Sequence, residues 1–242
     1  MKLNIHIKIG LLAAVLLCSG CFSEAYSQQK KTVVVKSDSN TAYEQILPPE
    51  MVYAYAGDFP SGRLYYKDGK VGDYNLNYHL VTQKAIFKSK NGQILEFAYP
   101  EHIKGFMIGE EFWTPVGEGF GLIVYHSDAG IDLIRYSHTE CTDVRKEGAF
   151  GAASPTAAIS NVSSLQTSDG THQMLTKGEY DFEVKVDYYL SVNGSVFPAD
   201  AKGFKRAFPS KKKEISEYLK DKRLNLSKEE DIVNLVKFSE AK

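Results

Sequence analysis

The stretch from Gly62 to Thr114 constrains the fold most. Four segments, GRLYYKDGK, DYNLNYHLV, KAIFKSKNGQILEFA and KGFMIGEEFWT, alternate apolar or aromatic residues with polar ones at period two. That period belongs to β-strands with one buried face. The breaks contain Asp68-Gly69 and Asn91-Gly92, dipeptides that accept positive φ and close tight hairpins. An up-and-down antiparallel meander follows from these two features together. In KAIF, Ala85 and Phe87 face one way and Ile86 the other, so both faces carry apolar groups. A strand of that kind is covered on both sides, in a sandwich or a strongly curved sheet.

The same grammar extends in both directions. Thr32 to Lys36 (TVVVK) reads as a first strand, and Met51 to Ala56 alternates again, with Tyr53 and Tyr55 on one face. Phe120 to Tyr125 and Ile131 to Val144 form a further pair, the second long enough that a bend or bulge is expected. Glu179 to Val192 is the cleanest half-buried strand: Tyr180, Phe182, Val184, Val186 and Tyr188 on one face, Glu179, Asp181, Glu183, Lys185 and Asp187 on the other. Asn193-Gly194 turns it back through Phe197. The period then changes. Phe204, Ala207 and Phe208, then Ile215, Tyr218 and Leu219, then Ile232, Leu235 and Val236 fall at helical spacing. Pro209 and Ser210 start the middle helix, and Ser227 with Glu230 reads as a capping box for the last. The fold class is therefore mainly β, an antiparallel meander with about three short C-terminal helices, which dock because each is marginal alone.

The chain begins with an export leader. Lys2 and Lys8 precede the apolar run Ile9 to Leu17, which is too short to span a bilayer. Two exits fit. Ala25-Tyr26-Ser27 suits a conventional cleavage site after residue 27. Ser19-Gly20-Cys21 resembles a lipobox ending at residue 20, which would place a lipid on Cys21. Cys141 is then the one cysteine left inside the folded part, so no internal disulfide is expected, and a small apolar strand residue is its plainest role. The division that follows is leader 1–27, extension 28–47, β domain 48–198 with a long loop at 146–177, and helical tail 199–242.

The segments LYYKDGK, LNYHLVTQKAIF, GEGF and KEGAFGAASPTAAI, with the tail KRAFPSKKKEISEYLKDKRLNLSKEEDIVNLVKF, are similar to a group of exported Gram-negative envelope proteins. The resemblance implies a periplasmic or outer-membrane-associated location and a β domain with a helical ending. It brings no catalytic residues.

No phosphate-binding glycine loop, G-x-S-x-G elbow or H-E-x-x-H helix occurs, so no cofactor is expected. GEGFG at Gly117 to Gly121 leads into a strand, where a dinucleotide loop leads into a helix. His138 and Glu140 alternate on one strand face with His126 across the hairpin, but chance placement accounts for the set and no metal is expected. Nucleic acid is excluded as a partner, because the aromatics lie among acids and the chain is exported. Residues 96–147 hold ten acids against four bases, and residues 202–228 ten bases against three acids. The basic tail, or a lipid on Cys21, would bring the protein to a membrane surface. The best binding candidates are aromatic: Tyr53, Tyr55, Tyr66 (or its neighbour Tyr65), Tyr78 and Trp113, which on one sheet face would stack on a glycan or an extended peptide, or meet an envelope protein. A non-enzymatic binding or structural module is the leading expectation. A hydrolase with its site near 146–177 and a lipid-anchored spacer are the alternatives.

Overall fold

The computed structural model describes residues 32–37, 41–42, 45–147, 153–155, 162–166, 171–175 and 178–241. The leader, both exits and Cys21 lie outside them.

The meander is present. Strands β3 (Ser61–Tyr66), β4 (Val71–His79), β5 (Lys84–Lys88), β6 (Ile94–Glu96), β7 (Ile103–Ile108), β8 (Glu111–Val116) and β9 (Gly119–His126) follow one another after β1 (Thr32–Ser37), β2 (Thr41–Ala42) and the short helix α1 (Pro49–Val52). Next come β10 (Asp132–Glu147), β11 (Ala153–Pro155), β12 (Val162–Gln166), β13 (Thr171–Leu175), β14 (Gly178–Val192) and β15 (Ser195–Pro198). The principal sheet is antiparallel and runs β1-β14-β10-β9-β8-β7-β3-β4-β5-β6, with β11 added to β10 and β15 to β14. The β14–β15 loop has two residues, Asn193 at φ +50° and Gly194 at φ +77°, the signature of a type I′ turn whose twist matches its strands.

The sheet curls until β5 returns to β9. The Phe120 amide donates to the Tyr78 hydroxyl at 3.3 Å, and the Thr139 amide to the Leu80 carbonyl at 2.9 Å. Inside the curl lie Leu64, Leu76, Tyr78, Phe106, Trp113, Phe120 and Leu122, all buried. Sequence alternation selects them, since every second residue of each strand faces inward.

The long strand bends where its length demanded. β10 shifts register against β9 between Leu133 and Ile134, and against β14 between Cys141 and Asp143. On β14, Tyr180, Phe182 and Leu190 are fully buried as the alternation requires. Glu183 departs from the polar-face reading: it too is buried, with its carboxylate 3.1 Å from Lys185 Nζ.

Three sequence readings change. Met51 to Ala56 is a helical turn followed by a β-bridge at Tyr53, not an alternating strand. Pro49 sits at the first helical positions, where its fixed φ suits a helix and its missing amide costs nothing. Met51 and Val52 are then buried together against Val35, Tyr180 and Phe182. Segment 146–177 hides structure of its own: β11 pairs with β10, and β12 and β13 form a hairpin extended by β2. Last, the helix after Ser227 begins at Glu229, with Lys228 and not Ser227 at its N-cap position.

Helices α2 (Ala201–Ala207), α3 (Lys212–Lys222) and α4 (Glu229–Glu240) close the chain, with a 3-10 turn at Pro209–Lys211 leading into α3. Their apolar positions, Phe204, Ile215, Ile232, Leu235 and Val236, join Ile131, Leu133 and Leu190 in a second core. No helix among the described residues is long and apolar enough to cross a membrane.

Candidate functional site

The five aromatic residues singled out in the sequence do not form one surface. Tyr78 is fully buried and Trp113 is 5% exposed. Trp113 stacks on Phe106 with centroids 5.6 Å apart and rings 7° from parallel, and lies 4.9 Å from the Tyr78 ring. Both belong to the core, where no ligand reaches them. Tyr53 is half-buried against His79 and Phe59. Tyr55 caps one end of the curl, donating its hydroxyl proton to Glu111 and accepting from Trp113 Nε1 at 3.2 Å. Tyr66 sits apart from these, its hydroxyl 3.2 Å from that of Tyr74, beside the packed rings of Tyr74, Phe87 and Phe97.

The opposite face of the same strands offers the better surface. Residues directly opposite in an antiparallel sheet share a face. Asp73 opposes Arg63, Arg63 opposes Met107, and Met107 opposes Phe112. The next row is Val71, Tyr65 and Gly105. These residues alternate with Leu64, Phe106 and Trp113 of the core, so they point outward. Phe112 lies across Gly105: a Cβ there would stand 2.7 Å from its ring. Tyr65 and Phe112 are 5.9 Å apart between ring centres. Val71 is 55% exposed, and Tyr65, Met107 and Phe112 are half-buried. Beside them is a shallow depression of about 340 Å³ lined by Ser61, Gly62, Arg63, Asp73, Met107 and Gly109. Arg63 and Asp73 form its charged rim, Nε to Oδ1 at 3.5 Å. Val116, Ile134 and Tyr136 form a separate buried cluster with Ile123 and Tyr189 and add nothing to the exposed surface. One signal in the sequence points to that surface: in EFWT the adjacent Phe112 and Trp113 must face opposite ways, so one large ring is turned outward.

Several polar groups elsewhere are tied into the fold. Arg135 Nη1 and the Tyr188 hydroxyl both approach Glu229 Oε2, at 3.5 and 3.3 Å, and fasten α4 to the sheet. His126 Nδ1 lies 2.6 Å from Asp132 Oδ1, while His138 faces Asp187 at 3.9 Å. Among the described residues no three of His, Cys, Asp and Glu stand together as a metal site. Burial pushes the Cys141 thiol up to about 11, so it is protonated at neutral pH and a poor nucleophile. The tail residues Lys202, Arg206, Lys213, Lys220 and Lys222 are exposed.

Six phenols, Tyr55, Tyr66, Tyr78, Tyr125, Tyr136 and Tyr189, are held above their ordinary value of 10.0, each chiefly by burial. Burial raises Tyr66 to about 12, helped by its bond with Tyr74. Burial also raises Tyr55, with Glu111 adding to it, and Tyr78. The native chain keeps these protons after the unfolded chain has lost them. Stability is therefore unaffected below pH 10 and falls as pH rises past it, through the value of Tyr66 and beyond. An alkaline titration followed by tyrosinate absorbance and circular dichroism should show a late group of phenols that ionise together with loss of structure. Ionisation of every phenol near pH 10 with the fold intact contradicts this.

No family model, curated protein or solved structure matches the chain. The residues themselves carry the functional argument.

Proposed function

We propose that the protein is an exported, non-enzymatic binding module of the cell envelope that meets a partner protein with the outer face of its curled sheet. One observation carries this reading. The strands bury one face in a complete aromatic core, yet Val71, Tyr65, Met107 and Phe112 place apolar side chains on the other face beside a depression rimmed by Arg63 and Asp73. A mixed patch of aromatic, methionine and arginine side chains has the composition of an interface centre. The leader supports export, and the resemblance to envelope proteins supports the compartment. A lipid on Cys21 or the basic tail would hold the module near a membrane while its sheet face engages the partner.

The test is site-specific photocrosslinking in cells of the native host. A photoreactive residue at position 65 should give one adduct of defined mass, and Phe112→Ser in the same chain should abolish it. The same probe at position 222, on the exposed side of α3, should not give that adduct. Absence of an adduct from position 65, or an adduct indifferent to Phe112→Ser, overturns the proposal.

A further inference from the structure

The two end strands of the principal sheet's main path are treated differently. At one end, β6 has three residues, and the neighbouring β5 is tied to it by Lys84 and Glu96, Nζ to Oε2 at 2.6 Å. A short charged edge is a standard defence against strand addition. At the other end, β1 has six residues, TVVVKS, with no proline and no break in its register along β14. Its outer edge has no partner strand among the described residues, and Val34 is 53% exposed.

We propose that β1 pairs with β1 of a second copy of this chain, antiparallel and centred on Val34, so that two sheets become one. The sequence of the edge is complementary to itself in this register. Val34 opposes Val34 of the other copy, and Val33 opposes Val35, so every valine meets a valine. Val33 and Val35 already belong to the core built on Met51, Val52, Tyr180 and Phe182, and the pairing continues that core across the junction. Lys36 meets Thr32, so the two lysines do not face one another. Shifting the centre to Val35 instead sets Lys36 against Val34.

Charge is compatible with this pairing. Opposite β1 on the shared face, β14 carries Glu183, Asp181 and Glu179 beside Thr32, Val34 and Lys36. Lys36 of one copy then lies next to Thr32 of the other, two strand spacings or about 10 Å from the backbone of Glu183. A lysine side chain covers much of that distance, so each copy presents a cation to the other's acidic row. The symmetric, self-complementary patch is what a two-fold interface requires.

The experiment uses the processed protein with single cysteines on a Cys141→Ser background. Directly opposite residues hold their Cβ atoms about 4.5–5.5 Å apart, close to disulfide geometry. On mild oxidation Val34→Cys should cross-link to itself. Thr32→Cys should cross-link when mixed with Lys36→Cys and not alone. In sedimentation the unmodified protein should be a dimer, and Val34→Asp, which sets two carboxylates opposite each other beside Asp181, should weaken it by about tenfold. Circular dichroism of each variant separates loss of pairing from loss of fold. A protein monomeric at every concentration reached, cross-links without the Thr32–Lys36 preference, or cysteines at β1 that capture a different protein in cells each overturn the proposal.

Discussion

Trp113→Ala should cost about 3 to 5 kcal/mol of stability, the range for removing a large buried aromatic. The indole lies inside the curl with 5% of its surface exposed. Its loss removes the parallel contact with Phe106 and the close contact with Tyr78. It also takes from the Tyr55 hydroxyl the donor that approaches it at 3.2 Å. The cavity opens between β7, β8 and the cap over them, where stacked rings on both sides leave little room to collapse. Urea unfolding should show a lower midpoint with an unchanged slope, the mark of a stability change alone. A variant as stable as the parent, altered only in what it binds, would return Trp113 to the role of a ligand-stacking surface.

Gly203→Ala is expected to be nearly as damaging, at about 3 kcal/mol. Alanine is the better helix former by about 1 kcal/mol, so on propensity alone the change should help α2. Packing decides the other way. A Cβ at this position would stand 1.8 Å from the Pro198 carbonyl oxygen, and that obstacle is backbone, so no rotamer change relieves it. The glycine amide is also fixed by the Asp200 carboxylate, which accepts from it at 2.6 Å. Relief requires α2 to move away from β15, which disturbs Phe204 and the second core. Limited proteolysis should cut the tail of the variant faster than that of the parent. An alanine variant within about 0.5 kcal/mol of the parent, the range of a neutral surface change, contradicts this geometry.

Much of this architecture was legible because it rests on local rules. Period-two alternation marked the strands, Asn193-Gly194 marked its hairpin, and helical spacing of Ile215, Tyr218 and Leu219 marked a helix. What was not legible depended on contacts far apart in sequence. The two-sided apolar pattern of KAIF points to a sandwich or a strongly curved sheet, but no local signal says that β5 returns to β9, and that closure makes Tyr78 and Trp113 core. The same closure leaves Tyr65 and Phe112 outside. Glu183 sits on the polar side of an alternating strand, and its burial follows from the strands around it. At Met51 the alternation over six residues yields to the proline pair, Pro48 at the N-cap and Pro49 in the first turn, which starts a helical turn. In segment 146–177 the composition suggests a loop, but β11 pairs with the distant β10, and the β12–β13 hairpin is extended by the distant β2.

The central claim is that this sheet keeps its inner aromatics for the core and its outer ones for a partner. Hydroxyl-radical footprinting tests it directly. In purified protein Tyr65, Met107 and Phe112 should be labelled in proportion to their half exposure, and Tyr99, 66% exposed, more strongly. In intact envelopes of the host, labelling of Tyr65, Met107 and Phe112 should fall while that of Tyr99 is unchanged. Equal labelling of the outer face in both preparations contradicts the account.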